Sequence, residues 1–122
     1  MLQIRKFLSF WFPVLLYSAI IFAASSIQNV ALPGSVPNFD KVLHIGEYVV
    51  LGLLLARALN SIEFKLSLKQ IWLLAAVLCF IYGLTDEWHQ SFVPGRTADI
   101  WDAIADFIGG GLGGWIWLFI KR

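Results

Sequence analysis

The chain has 122 residues, of which 59% are hydrophobic and 14% are charged, against roughly 45–50% and 25% in an ordinary soluble domain. A soluble protein of this length could not bury so much apolar surface, so the composition favours an integral membrane protein with one domain. The single cysteine, Cys79, cannot form an internal disulfide and says nothing about the redox compartment. The net charge is only +1, and we expect no nucleic-acid partner.

Four apolar segments cover about residues 7–24, 41–59, 70–89 and 99–120. Each is close to the roughly 20 residues that a helix needs to cross the hydrocarbon core. A spanning segment must satisfy its own backbone hydrogen bonds, so we predict an all-α membrane bundle of four helices over residues 1–122. Pro13 predicts a kink in the first helix.

The first segment has an alternative interpretation. Arg5 and Lys6, the apolar run and the small residues Ala24-Ser25-Ser26 are also typical of a secretory signal with a cleavage site. The run is long for such a signal and rich in aromatic residues, so we expect it to be retained as a helix.

Basic residues concentrate at one end of the predicted bundle. Every Lys and Arg except Lys41 and Arg96 lies at a terminus or next to the second connection. Because cytoplasmic connections are enriched in Lys and Arg, both termini are expected to face the cytoplasm. Every acidic residue except Glu63 then lies at the opposite, outward end.

Polar faces lie at that outward end of the second and third helices. Asp40, His44 and Glu47 are spaced four and three residues apart and therefore share one face. The third helix has a similar face, with Glu87 beside it, formed by Tyr82, Asp86, His89 and Gln90. Charges are costly near hydrocarbon, so their clustering predicts a functional site.

The fourth helix continues the pattern with Asp99, Asp102 and Asp106. Its polar face runs on as the small residues Gly109, Gly110 and Gly113. Small residues at this spacing let membrane helices approach closely, so the acidic end is expected to point into the bundle and to form a pocket with the other two faces. Arg96 is placed to cover the carboxylates or to bind an anionic ligand.

Ordinary structural roles compete with this interpretation. His44 would be a buried, hydrogen-bonded histidine, His89 an interfacial residue and Asp99 an N-cap. The Asp40–Lys41 pair would be a cap and an interfacial anchor, and the glycines would serve packing. Five carboxylates around an apolar bundle are harder to explain in this way: Glu47, Asp86, Glu87, Asp102 and Asp106.

Two motifs together resemble those of the VanZ-like membrane proteins. The first is Asp40-Lys41 with His44 and Tyr48. The second comprises Asp86, Glu87, Gln90, Phe92, Pro94, Arg96, Asp99 and Asp102, followed by Gly109 and Gly113. The resemblance covers nearly the whole chain and implies a protein of the bacterial inner membrane. The family usually has Asn where this chain has Asp106, so no family role is transferred to that position.

One VanZ-like protein raises resistance to teicoplanin, which acts on cell-wall precursors outside the membrane. An outward site therefore favours binding or remodelling of an envelope lipid, such as a polyprenyl phosphate, or of a peptidoglycan precursor. Lys41, His44 and Arg96 would meet its anionic groups. A divalent cation could be bridged by Asp86, Glu87 and Asp102.

Two other functions stay open. In a membrane-embedded hydrolase or transferase, His44 would be a general base oriented by Asp40 or Glu47, while Asp86 and Glu87 would bind metal or activate water. The sequence has no HExxH motif and no nucleophile placed in the cluster, so an enzyme is the less favoured reading. A proton-coupled exporter ranks third, because the first helix lacks an embedded charge. The glycine face also makes a homo-oligomer conceivable.

Overall fold

A computed structural model of the chain describes residues 1–27, 39–95 and 97–121. Within these ranges the chain forms four helices and no strand: α1 (Leu2–Ser25), α2 (Phe39–Asn60), α3 (Leu68–Gln90) and α4 (Ile100–Lys121). Each is long and apolar enough to cross a membrane, so the predicted all-α bundle of four spans is confirmed. The helix α1 begins earlier than predicted, because helical hydrogen bonding continues through polar flanking residues that hydropathy leaves out.

An irregular turn interrupts α1 next to its proline. Residues Phe7–Trp11 form a π-helical segment. Pro13 has no N–H, so it cannot donate to the carbonyl of Ser9 one turn earlier. Arg57 of α2 donates to that carbonyl instead, with 2.7 Å between Nη1 and the oxygen. The sequence predicted a kink at the proline, and the structure has a widened turn just before it.

The glycines of α4 pack against the backbone of α2. A Cβ at Gly109 would lie 2.6 Å from the carbonyl oxygen of Ile45, and a Cβ at Gly113 would overlap the carbonyl of Val49. The two backbones can approach this closely only because both positions lack a side chain. Association of two copies through this face stays a prediction, and in this packing α2 already fills the face.

Packing around α1 is the loosest in the molecule. Only 11% of its most apolar stretch is buried, against 39% for those of α2 and α4. At the acidic end, Ser26 Oγ lies 2.9 Å from His89 Nε2, and the Phe22 ring stacks on the same imidazole at 4.2 Å. Deeper in the bundle, Tyr17 donates to an α2 carbonyl and Tyr82 to an α1 carbonyl. A few polar contacts therefore hold α1, which leaves space between it and the other helices.

Opposite charges separate along the length of the bundle. At one end Lys121 Nζ donates to Asn60 Oδ1 at 2.7 Å and joins the last turns of α2 and α4. At the other end the carboxylates of α2, α3 and α4 collect around Lys41 and His44. The side of the membrane that each end faces stays a prediction.

Candidate functional site

Lys41 binds three carboxylates at the acidic end of the bundle. Its Nζ lies 2.7 Å from Asp40 Oδ2, 2.6 Å from Asp99 Oδ2 and 3.0 Å from Asp102 Oδ1. Hydrogen bonds to Asp40 and Asp99 occupy two of the three N–H donors of the ammonium group, and Asp102 adds an ion pair. The predicted contact of Lys41 with an anionic ligand therefore competes with three contacts inside the protein.

Asp99 combines two roles. Its Oδ1 accepts a hydrogen bond from the N–H of Trp101 at 3.0 Å, which is the predicted N-cap of α4. Its Oδ2 binds Lys41, and this hydrogen bond lowers the pKa of the Asp99 carboxyl below its ordinary value. The start of α4 is thereby tied to the start of α2.

His44 lies one turn deeper, between two carboxylates of α4. Its Nδ1 is 2.8 Å from Asp106 Oδ1, and its Nε2 is 3.7 Å from Asp102 Oδ2. The sequence suggested that Asp40 or Glu47, on the same helix as His44, would orient the imidazole. The carboxylates at these distances come from α4 instead, because the packing of α2 on α4 turns the imidazole toward that helix.

Asp106 is fully buried, and it fits because α3 has a glycine opposite it. A Cβ at Gly83 would lie 2.9 Å from Asp106 Cβ and 3.0 Å from its Cγ, and nearer still to Oδ2. The sequence analysis missed Gly83. The available signal was a glycine inside a helix, which lowers helix stability by about 1 kcal/mol relative to alanine and so indicates a packing requirement.

Glu87 of α3 approaches the same cluster. Its Oε2 accepts a hydrogen bond from the N–H of Asp99 at 2.8 Å, and its Oε1 is buried without a hydrogen-bond partner among the described residues. One ligand atom from each of His44, Glu87 and Asp106 lies within 4.8 Å of the others. The set predicted from the sequence was Asp86, Glu87 and Asp102, so the structure brings a different trio together.

A cavity of about 200 Å³ lies beside this cluster, between α1, α2 and α3. Its polar lining includes five residues that the sequence selected: Asp40, His44, Glu47, Asp86 and Gln90. Asp86 and Gln90 are buried, whereas Glu47 is half-buried. Tyr48 is fully buried within the hydrophobic core.

Helix α1 supplies the apolar side of the cavity through Ile21, Ala24 and Ser25. The sequence analysis missed these residues, because small and apolar side chains in a spanning helix give no signal that distinguishes a cavity from lipid. Arg96 lies outside the described residues, so its predicted role stays a prediction.

Four membrane-length helices around a buried carboxylate–histidine cluster define a multi-pass membrane protein. The model of the VanZ/LLP1 family matches residues 3–121, and the chain belongs to that family. No curated protein and no solved structure matched the chain. The match confirms the resemblance that the two polar motifs indicated.

Proposed function

We propose that this protein binds the headgroup of a cell-envelope lipid, or of a lipid-linked peptidoglycan precursor, in the bacterial plasma membrane. The observation that carries the proposal is a polar cavity and an apolar groove that lie between the same three helices. The groove has a volume of about 350 Å³ and is lined by residues such as Val14, Leu51 and Ile81.

A third space shares lining residues with both the cavity and the groove. It has a volume of about 340 Å³ and shares Asp86 with the polar cavity and Tyr82 and Thr85 with the groove. An amphipathic molecule would place its polar end against the carboxylates and its chain along α1. The loose packing of α1 provides a lateral route from the bilayer.

The residues that line the cavity limit the kind of headgroup that it could bind. Asp40, Glu47 and Asp86 line the cavity, and carboxylates repel an anionic group. A sugar or an amine therefore suits the cavity better than a bare phosphate. A phosphate in the same ligand needs a cation, and Lys41 already binds three carboxylates. From the sequence, Arg96 is the residue expected to bind this phosphate.

Access to such a ligand depends on orientation. The charge pattern predicts that the acidic end faces outward, where cell-wall precursors are assembled and where teicoplanin acts. We therefore propose that loss of the protein changes susceptibility to teicoplanin-type antibiotics. In a Cys79→Ala background, a single cysteine placed at Ser91 should react with a membrane-impermeant thiol reagent in intact cells. A cysteine placed at Ser61 should not react, and the reverse pattern would contradict the outward site.

Native mass spectrometry of the full chain in detergent tests the binding itself. With polyprenyl phosphate, phosphatidylglycerol and phosphatidylethanolamine supplied together, we expect one lipid to be enriched on the protein. Asp86→Asn and Arg96→Ala should reduce that enrichment, whereas Glu63→Gln at the basic end should not. Retention in proportion to bulk lipid, unchanged in Arg96→Ala, would refute the proposal.

A hydrolase or transferase is the second candidate, and the contact between His44 and Asp106 favours it. A histidine that lines the cavity and is oriented by a buried carboxylate is arranged as a general base. This candidate requires that a bound lipid be converted to product and that His44→Gln retain binding but lose turnover. A lipid recovered unchanged after prolonged incubation supports the binding function alone.

A further inference from the structure

We propose that His44, Glu87 and Asp106 together bind one divalent transition-metal ion at the inner side of the cavity. The three residues come from α2, α3 and α4, and one ligand atom of each lies within 4.8 Å of the others. The site thus joins three helices at one point. Metal binding stands independently of the proposed lipid ligand.

Two buried carboxylate oxygens without partners favour a ligand there. Glu87 is 6% exposed and Asp106 is 0% exposed. Glu87 Oε1 and Asp106 Oδ2 are buried and have no hydrogen-bond partner within the described part of the chain. A buried acceptor left unsatisfied costs about 1–3 kcal/mol, and more when it is charged. One cation would satisfy both oxygens.

The two oxygens approach the same surface of α3. Asp106 Oδ2 lies against Gly83, and Glu87 follows Gly83 by four residues, which places the two α3 positions on one helical face. Lys41 Nζ forms ion pairs with Asp40, Asp99 and Asp102. Among the described residues, no lysine or arginine forms an ion pair with Glu87 or Asp106.

The distances are compatible with coordination. With metal–ligand bonds of about 2.0–2.1 Å, neighbouring ligands of a tetrahedral ion lie about 3.3 Å apart. His44 Nδ1 lies 2.8 Å from Asp106 Oδ1, so the imidazole is close enough to this carboxylate to reach an ion held at its other oxygen, Oδ2. Glu87 would close the remaining separation by a side-chain adjustment. Asp102 Oδ2, at 3.7 Å from the other ring nitrogen, is placed to orient the imidazole.

The donor set indicates the class of metal. One imidazole nitrogen and two carboxylate oxygens suit Zn²⁺ or Mn²⁺, whereas Ca²⁺ and Mg²⁺ prefer sites made wholly of oxygen. Because His44 also lines the cavity, the ion would place positive charge beside the headgroup. The placement of this charge beside a headgroup rests on the proposed function. The bound ion would then be the cation that a lipid phosphate needs.

Metal titration of the chelator-treated full chain in detergent tests the site. Calorimetry with Zn²⁺, Mn²⁺ and Mg²⁺ alone should give one Zn²⁺ or Mn²⁺ per chain, at least roughly tenfold tighter than Mg²⁺. Glu87→Gln and Asp106→Asn should each weaken the transition metal by at least about tenfold. Glu63→Gln, an exposed acidic residue at the opposite end, should bind as the wild type does.

Circular dichroism separates loss of a ligand from loss of the fold. If one variant unfolds, the other variant and the wild-type stoichiometry still decide the question. Absence of stoichiometric Zn²⁺ or Mn²⁺ in the wild type, or unchanged affinity in both folded variants, would overturn the metal site. Metal binding without lipid enrichment would instead retain the site and refute the lipid proposal.

Discussion

Replacing Gly113 with alanine should force α4 away from α2. The new Cβ would overlap the carbonyl oxygen of Val49 and would lie 2.7 Å from the nitrogen of Leu53, where ordinary contacts begin at 3.4 Å. Both atoms belong to the backbone, so no side chain can rotate aside. Relief of the Leu53 contact alone requires the helices to separate by about 0.7 Å, and the shorter contact with Val49 requires more. A gap of about 0.5–1 Å already removes a quarter to a half of each van der Waals attraction. Overpacking of this kind costs about 1–3 kcal/mol.

Gly46→Ala is the matched control, because a Cβ at Gly46 meets nothing within 4 Å. Alanine is the better helix former by about 0.8–1.0 kcal/mol, so this change should leave the free energy of unfolding unchanged or raise it. Reversible unfolding in mixed micelles, followed by circular dichroism, measures both variants. Equal stability of the two alanine variants would refute the proposed backbone contact between α2 and α4.

Gly83→Ala should displace the Asp106 carboxylate and weaken Zn²⁺ or Mn²⁺ binding by at least about tenfold, and unchanged metal affinity would contradict this. The loss of stability should be smaller than in Gly113→Ala, because the new Cβ meets the side chain of Asp106, which can move, and not a backbone. Asp99→Asn should lower stability by a constant amount above about pH 5, and the difference from wild type should shrink below about pH 4. The reason is that a carboxylate with a lowered pKa contributes stability above its unfolded-state pKa and loses it as the pH falls; a difference that grows in acid would contradict it. Arg57→Ala should destabilise the protein by about 1–2 kcal/mol, since it leaves a carbonyl of α1 without its donor. The loss should be smaller in a Pro13→Ala background, and a double-mutant cycle of unfolding energies with no coupling would refute the link.

Much of the fold could be predicted because the bilayer restricts what an apolar segment can do. Four runs of about 20 apolar residues must form helices in lipid, and the described residues form four such helices. The residues of the polar cluster could also be selected, because each charge near hydrocarbon is costly. Asp99 as an N-cap follows from local chemistry alone, since the acceptor and the N–H it receives are two residues apart.

The contacts that these residues make between helices could not be predicted in the same way. Spacing along a helix shows that Asp40, His44 and Glu47 share a face, but it contains no information on which neighbour that face meets. The contact between His44 and Asp106 of α4 could not be predicted for this reason. For the same reason, the three residues whose possible ligand atoms converge, His44, Glu87 and Asp106, differ from the predicted set.

The amino-acid sequence by itself determined the class of the protein, its four helices, the separation of charge between its ends and the family to which it belongs. These properties depend on local composition and on the solvent that surrounds each segment. Only the tertiary structure decided how the helices are rotated and shifted against one another. Those offsets are set by close contacts with the backbone of α2 at Gly109 and Gly113 and with the Asp106 side chain at Gly83, and they place His44 against α4 and leave the cavity beside α1.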